Sequence, residues 1–268
     1  MMDFYYPGKK FPSLSVTGHK CSLNCPHCKT KYLKNMISVE TPDKLLDEAS
    51  RLSKEGGNGF LLSGGTDSKG KVPLDDYYPA LKKIKKETNL IVNIHTGIPS
   101  GKDIDRIKES GIDIVSYDMI GSDETIDKIY GLDLDVEYYK EGYDLLFEAG
   151  VNIVPHVTVG LDEGDIVGEY GAIDIISGSD RIILNSLIPS AFGDSVSNED
   201  FLSIVNYAIE NTDAEIIIGC MRERGRAELE IESIKHGVEG IVIPSKRTKS
   251  WVEKRYDVQE HRTCCAVQ

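Results

Sequence analysis

Tryptophan occurs once in this chain of 268 residues, and phenylalanine six times. Basic side chains are also short: 31 Lys and Arg face 44 Asp and Glu, a formal charge of −13. That balance argues against a general binder of nucleic acid or of anionic membranes, whose affinity comes largely from cationic contacts, though it leaves room for a local basic patch. No apolar run approaches the length of a membrane span. The N-terminal Met-Met-Asp-Phe-Tyr-Tyr carries no visible secretory signal. A cytoplasmic location is therefore expected, with no nucleic-acid and no membrane partner. Cysteine is scarce, six in all, and in a reducing compartment so few are better read as metal ligands than as disulfides. No repeat, low-complexity segment or linker breaks the chain. Residues 1–268 read as one domain, with 257–268 as a C-terminal tail.

Half of the cysteines stand in one short stretch, Cys21-Ser-Leu-Asn-Cys25-Pro-His-Cys28, just after a strand-like run. Three thiolates at C-x3-C-x2-C spacing on one loop can hold three irons of a 4Fe–4S cluster. Such clusters normally take four cysteines. One iron is then left open to a substrate, much as an open position turns a structural zinc site into a catalytic one. A structural zinc site would want a fourth ligand at finger-like spacing, and only His27 lies inside the loop. A disulfide with one free thiol would need an oxidising compartment. Both alternatives stay open behind the cluster.

Strand-like and helix-like segments alternate along the whole chain. Strands are expected at Ser13–Thr17, Gly59–Leu62, Leu90–His95, Ile112–Met119, Asn152–Val159, Arg181–Leu187, Glu215–Gly219 and Gly240–Ile243. Thr41-Pro42 reads as an N-cap with proline in the first turn, and the helix that follows stops at Gly56-Gly57. Short, almost wholly apolar runs such as Ile-Val-Asn-Ile suit strands buried on both faces of a parallel sheet. Eight strands alternating with helices predict an α/β fold of the (β/α)8 TIM type; a partial, six-stranded barrel is the alternative. In parallel barrels the active site lies at the C-terminal strand ends, so the strand exits are the places to look for chemistry.

C-x3-C-x2-C in the loop after the first strand resembles the signature of the radical S-adenosylmethionine (SAM) superfamily. The resemblance implies that SAM chelates the open iron through its amino and carboxylate groups. One electron then cleaves it, and a 5′-deoxyadenosyl radical abstracts hydrogen. It also implies that His27, the aromatic residue before the third cysteine, lies near the adenine. Ser63-Gly64-Gly65-Thr66-Asp67 is similar to the family's Gly-Gly-Glu element, which binds the SAM amino group. A glycine pair lets backbone approach a ligand, and equally makes an ordinary turn. Thr66 stands where the family has an acid, so the backbone must do more of the binding, with Asp67 as a substitute acid. On the fourth strand Ser116 and Asp118 share a face. Related enzymes have polar groups there that meet the SAM ribose or carboxylate, which makes Asp118 the candidate. Val154 to Glu163 is similar to the family's Gly-x-Ile-x-Gly-x-x-Glu element beside adenine. Gly160 and Glu163 match, while Pro155 takes the place of the first glycine. Pro189 stands where related enzymes set a proline-rich loop against adenine, without their longer ending.

Asn93 and His95 alternate on the third strand and so share a face. If that face is the barrel interior, they and His156 line the cavity as candidate substrate contacts, although a histidine in a strand is commonly just hydrogen-bonded. Cys220 stands at the exit of the seventh strand, in Gly219-Cys220-Met221-Arg222, and Cys264 and Cys265 lie in the tail. A tail folded over the barrel mouth would bring all three thiols together as ligands of an auxiliary cluster. The fourth ligand would be missing, or be His261, an arginine or a substrate. The alternative is one buried cysteine and two exposed tail thiols, which would be an oxidation liability. Arg222, Arg224 and Arg226 form a basic cluster in an acidic chain. Arg222 is the candidate for a carboxylate or phosphate on substrate; a solvated turn pairing with Glu223 and Glu228 is the alternative.

The whole chain resembles the biotin synthase-like branch of the superfamily. Its Gly-Cys-Met-Arg segment and Cys264-Cys265 are similar to the archaeal two-protein lipoyl synthases. That resemblance implies sulfur insertion at an unactivated carbon of a protein-bound octanoyl chain, with a second 4Fe–4S cluster as the sulfur source. It implies a low-potential electron donor such as ferredoxin or flavodoxin, a second radical SAM protein and a lipoyl-type carrier protein as partners. A radical SAM step in another cofactor pathway is the enzymatic alternative, its second cluster binding substrate or relaying electrons. An iron–sulfur carrier or electron-transfer protein is the alternative of another class.

Overall fold

The computed structural model describes residues 1–268. Its strands are β1 (Met2–Tyr5), β2 (Ser13–Ser15), β3 (Ile37–Ser38), β4 (Gly59–Ser63), β5 (Ile91–His95), β6 (Ile114–Asp118), β7 (Ile153–Val159), β8 (Arg181–Ser186), β9 (Glu215–Ile218), β10 (Gly240–Val242) and β11 (Val258–His261). They form one eleven-stranded sheet in the order β11-β1-β10-β9-β8-β7-β6-β5-β4-β2-β3. Every pairing is parallel. The expected eight strands are β2 and β4 to β10, with no boundary moved by more than two residues. The ring of hydrogen bonds stays open, because β1 takes the free edge of β10 and β11 adds beside β1. The sheet is therefore a curled, partial barrel.

The helices are α1 (Pro42–Lys54), α2 (Tyr78–Glu87), α3 (Gly101–Ser110), α4 (Asp123–Thr125, continued by a π turn to Tyr130), α5 (Val136–Glu148), α6 (Glu169–Ile175), α7 (Asn198–Asn211), α8 (Ala227–His236) and α9 (Lys246–Val252). Helix α1 starts as its sequence dictates: the Thr41 side chain accepts from the Lys44 N–H, and Pro42 fills the first turn. Its buried stripe, Leu45, Ala49 and Leu52, has the i, i+4, i+7 spacing of a helix lying on a sheet. Such stripes and the outward-facing strand residues, among them Phe60, Val92, Val115 and Leu184, make the main core between helices and sheet. No helix is long and apolar enough to cross a membrane.

A second, smaller core fills the lower interior of the barrel, where Tyr5, Ile114, Val154, Ile183 and Ile217 enclose Cys265 and Ala266. This corrects the expectation of a tail laid over the mouth. After β11, the Arg262 carbonyl accepts from Asn58 Nδ2 at 3.0 Å, just ahead of β4. Arg181, the first residue of β8, donates to the carbonyls of Cys265 at 2.9 Å and Val267 at 2.6 Å. Both contacts are at N-terminal strand ends, so the tail crosses the barrel interior as its floor. The buried Arg181 guanidinium needs acceptors there, and tail carbonyls supply them.

Candidate active site

The loop between β2 and β3 holds Cys21, Cys25 and Cys28 in a tight backbone turn. The N–H groups of Cys28 and Lys29 both donate to the Cys25 carbonyl, at 3.0 and 2.8 Å. Asn24, Lys29 and Thr30 adopt φ of 48°, 45° and 59°, a costly region for residues other than glycine that is often found at functional sites. All six cysteines are free, so no disulfide competes. Burial pushes the Cys25 thiol up to about 12, helped by the negative charges of Cys21 and Cys28. Burial also pushes Cys21 up, but N–H groups of Asn24, Thr66 and Leu23 and the Thr66 hydroxyl outweigh it and hold the thiol below its ordinary value. Three thiolates this close repel one another unless a multiply charged cation lies among them. No three His, Cys, Asp or Glu side chains converge on a point fit for one metal ion. A four-iron cluster takes its thiolates one per iron, and the donor set fits it.

The exit of β4 packs directly on this loop. The Gly65 N–H donates to Thr17 Oγ1 at 2.7 Å, and a Cβ on Gly65 would meet the Lys20 carbonyl and, at 2.5 Å, Cys21 Cβ. Thr66, where the resemblance leads one to expect an acid, accepts from the Ser22 N–H through its carbonyl at 2.9 Å. Its hydroxyl lies 3.6 Å from Cys21 Sγ. Asp67 caps the following turn, accepting from the N–H groups of Lys69 and Lys71 at 2.8 and 3.0 Å. Thr66 thus braces a cysteine, and Asp67 braces its own loop.

His27 sits in an aromatic slot, 6.0 Å from Tyr130 and 6.3 Å from Phe192 between ring centroids. Burial pushes its imidazole down to about 4, so the ring is neutral, and its buried Nδ1 has no partner. Phe192 belongs to the loop after β8, closed by a Ser190 N–H to Gly193 carbonyl bond at 3.0 Å; Pro189 is exposed on that loop. At the exit of β7, Gly160 takes φ of +70°, and its N–H donates to the buried Glu169 at 2.8 Å. Glu163 pairs with Lys128 at 3.0 Å.

Below this end the barrel interior is polar. Ser116 Oγ donates to Asn93 Oδ1 at 3.0 Å, and Asn93 Nδ2 lies 3.8 Å from Cys264 Sγ. His95 Nδ1 stands 3.4 Å from Asp118 Oδ2. The rings of His95 and His156 are 5.4 Å apart. The His95 side chain keeps 20% and Asp118 58% of its surface accessible, although protein surrounds both, so they face an open lumen. Burial lowers His156 to about 4 and leaves it neutral. Burial would lower His95 too, but the Asp118 carboxylate wins and raises it. The adjacent Cys264 and Cys265 thiols shift each other, the first downward and the second upward. Cys220 enters from the exit of β9, and burial and the charge of Cys264 push it up to about 11. Asn93 and His95 therefore share the lumen face as their alternation implies, and Cys264 reaches Asn93 from below, while Cys220 stands exposed at the exit of β9 above them.

The profile of the Radical SAM superfamily matches residues 15–166. The chain belongs to this superfamily. Membership implies SAM and a 4Fe–4S cluster. Biotin synthase from Sulfurihydrogenibium sp. (strain YO3AOP1) is 23% identical over 181 residues, 63% of this chain and 52% of that protein. The match thus spans about half the length of that relative. Among solved structures, the FeFe-hydrogenase maturase HydG from Carboxydothermus hydrogenoformans superposes with a TM-score of 0.62 at 18% identity, covering 90% of this chain and 58% of HydG. Methylornithine synthase (PylB) gives 0.59 at 13% identity, covering 93% and 82%. At these identities both show a shared fold.

One candidate lies elsewhere in this radical SAM chain. Arg222 is buried, donating to the carbonyls of Gly219 and Val242 at 2.7 and 2.8 Å and to Glu230 at 2.8 Å. The ion pair is closed to solvent on both sides, so this guanidinium holds strand exits together and is not available to a substrate. Arg226 is engaged by Glu223 and Asn198. Thr17 and Arg181 were not singled out by sequence. A threonine ending a strand and an arginine beginning one give no signal until the partners that approach them, Gly65 and the tail, are known.

Proposed function

We propose that this radical SAM enzyme inserts sulfur into an unactivated carbon, as a lipoyl-synthase-like enzyme acting on a protein-bound octanoyl chain. Cys21, Cys25 and Cys28 hold the first cluster, and Cys220, Cys264 and Cys265 hold a second in the lumen. The observation that carries the reading is the entry of the tail into the barrel, which sets Cys264 beside Asn93 on β5, on the side of the lumen that Cys220 overlooks from the exit of β9. When bound, the first cluster with SAM supplies the radical that takes hydrogen from carbon, and the second supplies sulfur. The chain's own residues do the rest. Gly64, Gly65 and the Thr66 backbone leave room for a ligand against the cysteine loop, and His27 with Phe192 and Tyr130 offers a flat apolar slot to adenine. Asn93 and His156 line the path of the substrate chain. The floor of Cys265, Ala266 and Ile217 closes the lumen to water from below, protecting a reactive intermediate. The partial match to biotin synthase supports the branch.

The test is turnover with an octanoyl-carrier substrate, SAM and a strong one-electron reductant. The natural protein should form 5′-deoxyadenosine and a thiolated product. Cys264→Ala with Cys265→Ala should still form 5′-deoxyadenosine and lose the product. Loss of SAM cleavage in that variant would contradict the division of labour. SAM cleavage without thiolation by the natural protein would favour a step in another cofactor pathway.

A further inference from the structure

Two histidines face the lumen with the same side of each ring anchored. His156 Nδ1 lies 3.0 Å from the Val154 carbonyl, and His95 Nδ1 lies 3.4 Å from the Asp118 carboxylate. His156 Nδ1 donates to that carbonyl, His95 Nδ1 faces the carboxylate at ion-pair distance, and neither Nε2 has a hydrogen-bond partner in the protein. A carboxylate or carbonyl behind Nδ1 is the usual way a protein orients a metal-ligating imidazole and raises its basicity. Of the two, His95 has the carboxylate. It also stands on the same strand face as Asn93, two residues nearer the mouth, and Asn93 touches Cys264.

Of the other protein candidates for a fourth ligand, Arg224 lies beside Cys220 but gives its guanidinium to the carbonyls of Cys220 and Val242, at 2.8 and 3.0 Å, and the remaining two are placed elsewhere. His261 stacks on Tyr5 at 4.8 Å between centroids and bonds Asp3 at 3.1 Å, at the sheet edge. Arg222 is closed in its pair with Glu230.

We propose that His95, through Nε2, is the fourth protein ligand of the lumen cluster held by Cys220, Cys264 and Cys265, with Asp118 as the residue that orients its ring. This rests on the second-cluster reading above. Imidazole in place of a fourth thiolate lowers the negative charge on the cluster, the change that raises potential where histidines replace cysteines in other iron–sulfur centres.

The experiment uses the full-length protein carrying Cys21→Ala, Cys25→Ala and Cys28→Ala, reconstituted anaerobically so that only the lumen site can hold iron. Pulsed EPR of the reduced protein then reads nitrogen coupled to the cluster spin. A strong coupling of a bound imidazole is expected. It should vanish with His95→Ala and persist with His156→Ala. His95→Cys should keep the iron content while losing the nitrogen coupling, which separates a lost ligand from a lost fold. Asp118→Asn should keep the coupling but change its strength. A loaded protein with no such coupling, or with the same coupling after His95→Ala, overturns the assignment. If the parent variant takes up no iron and sulfide at all, the second-cluster reading itself fails, and the ligand assignment with it.

Discussion

The Arg181 guanidinium donates to the Cys265 carbonyl at 2.9 Å, from the first residue of β8 to the fourth residue from the chain's end. The same side chain pairs with Glu215 and lies over the Tyr5 ring. One buried cation thus fixes the tail, and with it the height of Cys264 in the lumen. Arg181→Ala should destabilise the protein by about 3 kcal/mol, the cost of stranding a part-buried partner charge and two carbonyls. It should also raise the rate at which Cys264 reacts with a thiol reagent in the iron-free protein. Denaturation midpoints and labelling kinetics check this. Unchanged labelling would show that the tail holds its place without the arginine.

Gly65 is the position at which the β4 exit and the cysteine loop have no room to spare. Gly65→Ala should push the loop away, since the new Cβ would meet the Lys20 carbonyl and Cys21 Cβ. Iron content should fall by about half, to that of the lumen site alone, and SAM binding by calorimetry should weaken by about tenfold or more, with the far-ultraviolet spectrum unchanged. Gly64→Ala, whose Cβ would meet Thr17 Oγ1 and a Val16 methyl at 3.1 Å, should have a much smaller effect.

Arg222 and Glu230 should behave as a structural pair. Arg222→Ala should cost about 3–5 kcal/mol through the stranded Glu230, with no selective change in KM. Burial raises the Glu230 carboxyl, but the Thr248 hydroxyl, Arg222 and the Ser245 N–H outweigh it and hold it below its ordinary 4.5. The folded value is therefore below the unfolded one. Its stabilisation is complete above about pH 4.5 and is lost as pH falls through the folded value. Glu230→Gln should be less stable at neutral pH, and the gap to the natural protein should narrow in acid. Urea titrations across pH 2 to 7 measure it.

The eight strands of the barrel were legible because each is a short apolar run between turn signals, as in Ile-Val-Asn-Ile of β5. Strand β1 went unread, although Phe4 and Tyr5 are the aromatic residues strands favour. Strand β11 could not be read at all: Val258-Gln-Glu-His261 is polar and partly exposed, and only its backbone ladder to β1 makes it a strand. That pairing decides from which end the tail enters the barrel, so the position of Cys264 was beyond local sequence patterns. The first cysteine set was legible from its spacing. Arg222 was misjudged because a basic run gives no sign of which member will meet a buried acid.

The central claim is that six cysteines hold two clusters. It is tested most directly by iron and sulfide content after anaerobic reconstitution, for the natural protein and for Cys220→Ala with Cys264→Ala and Cys265→Ala. Two four-iron clusters require about eight irons per chain, falling to about four in the variant. About four irons in both would contradict the account and leave a radical SAM enzyme with a single cluster and no sulfur of its own to give.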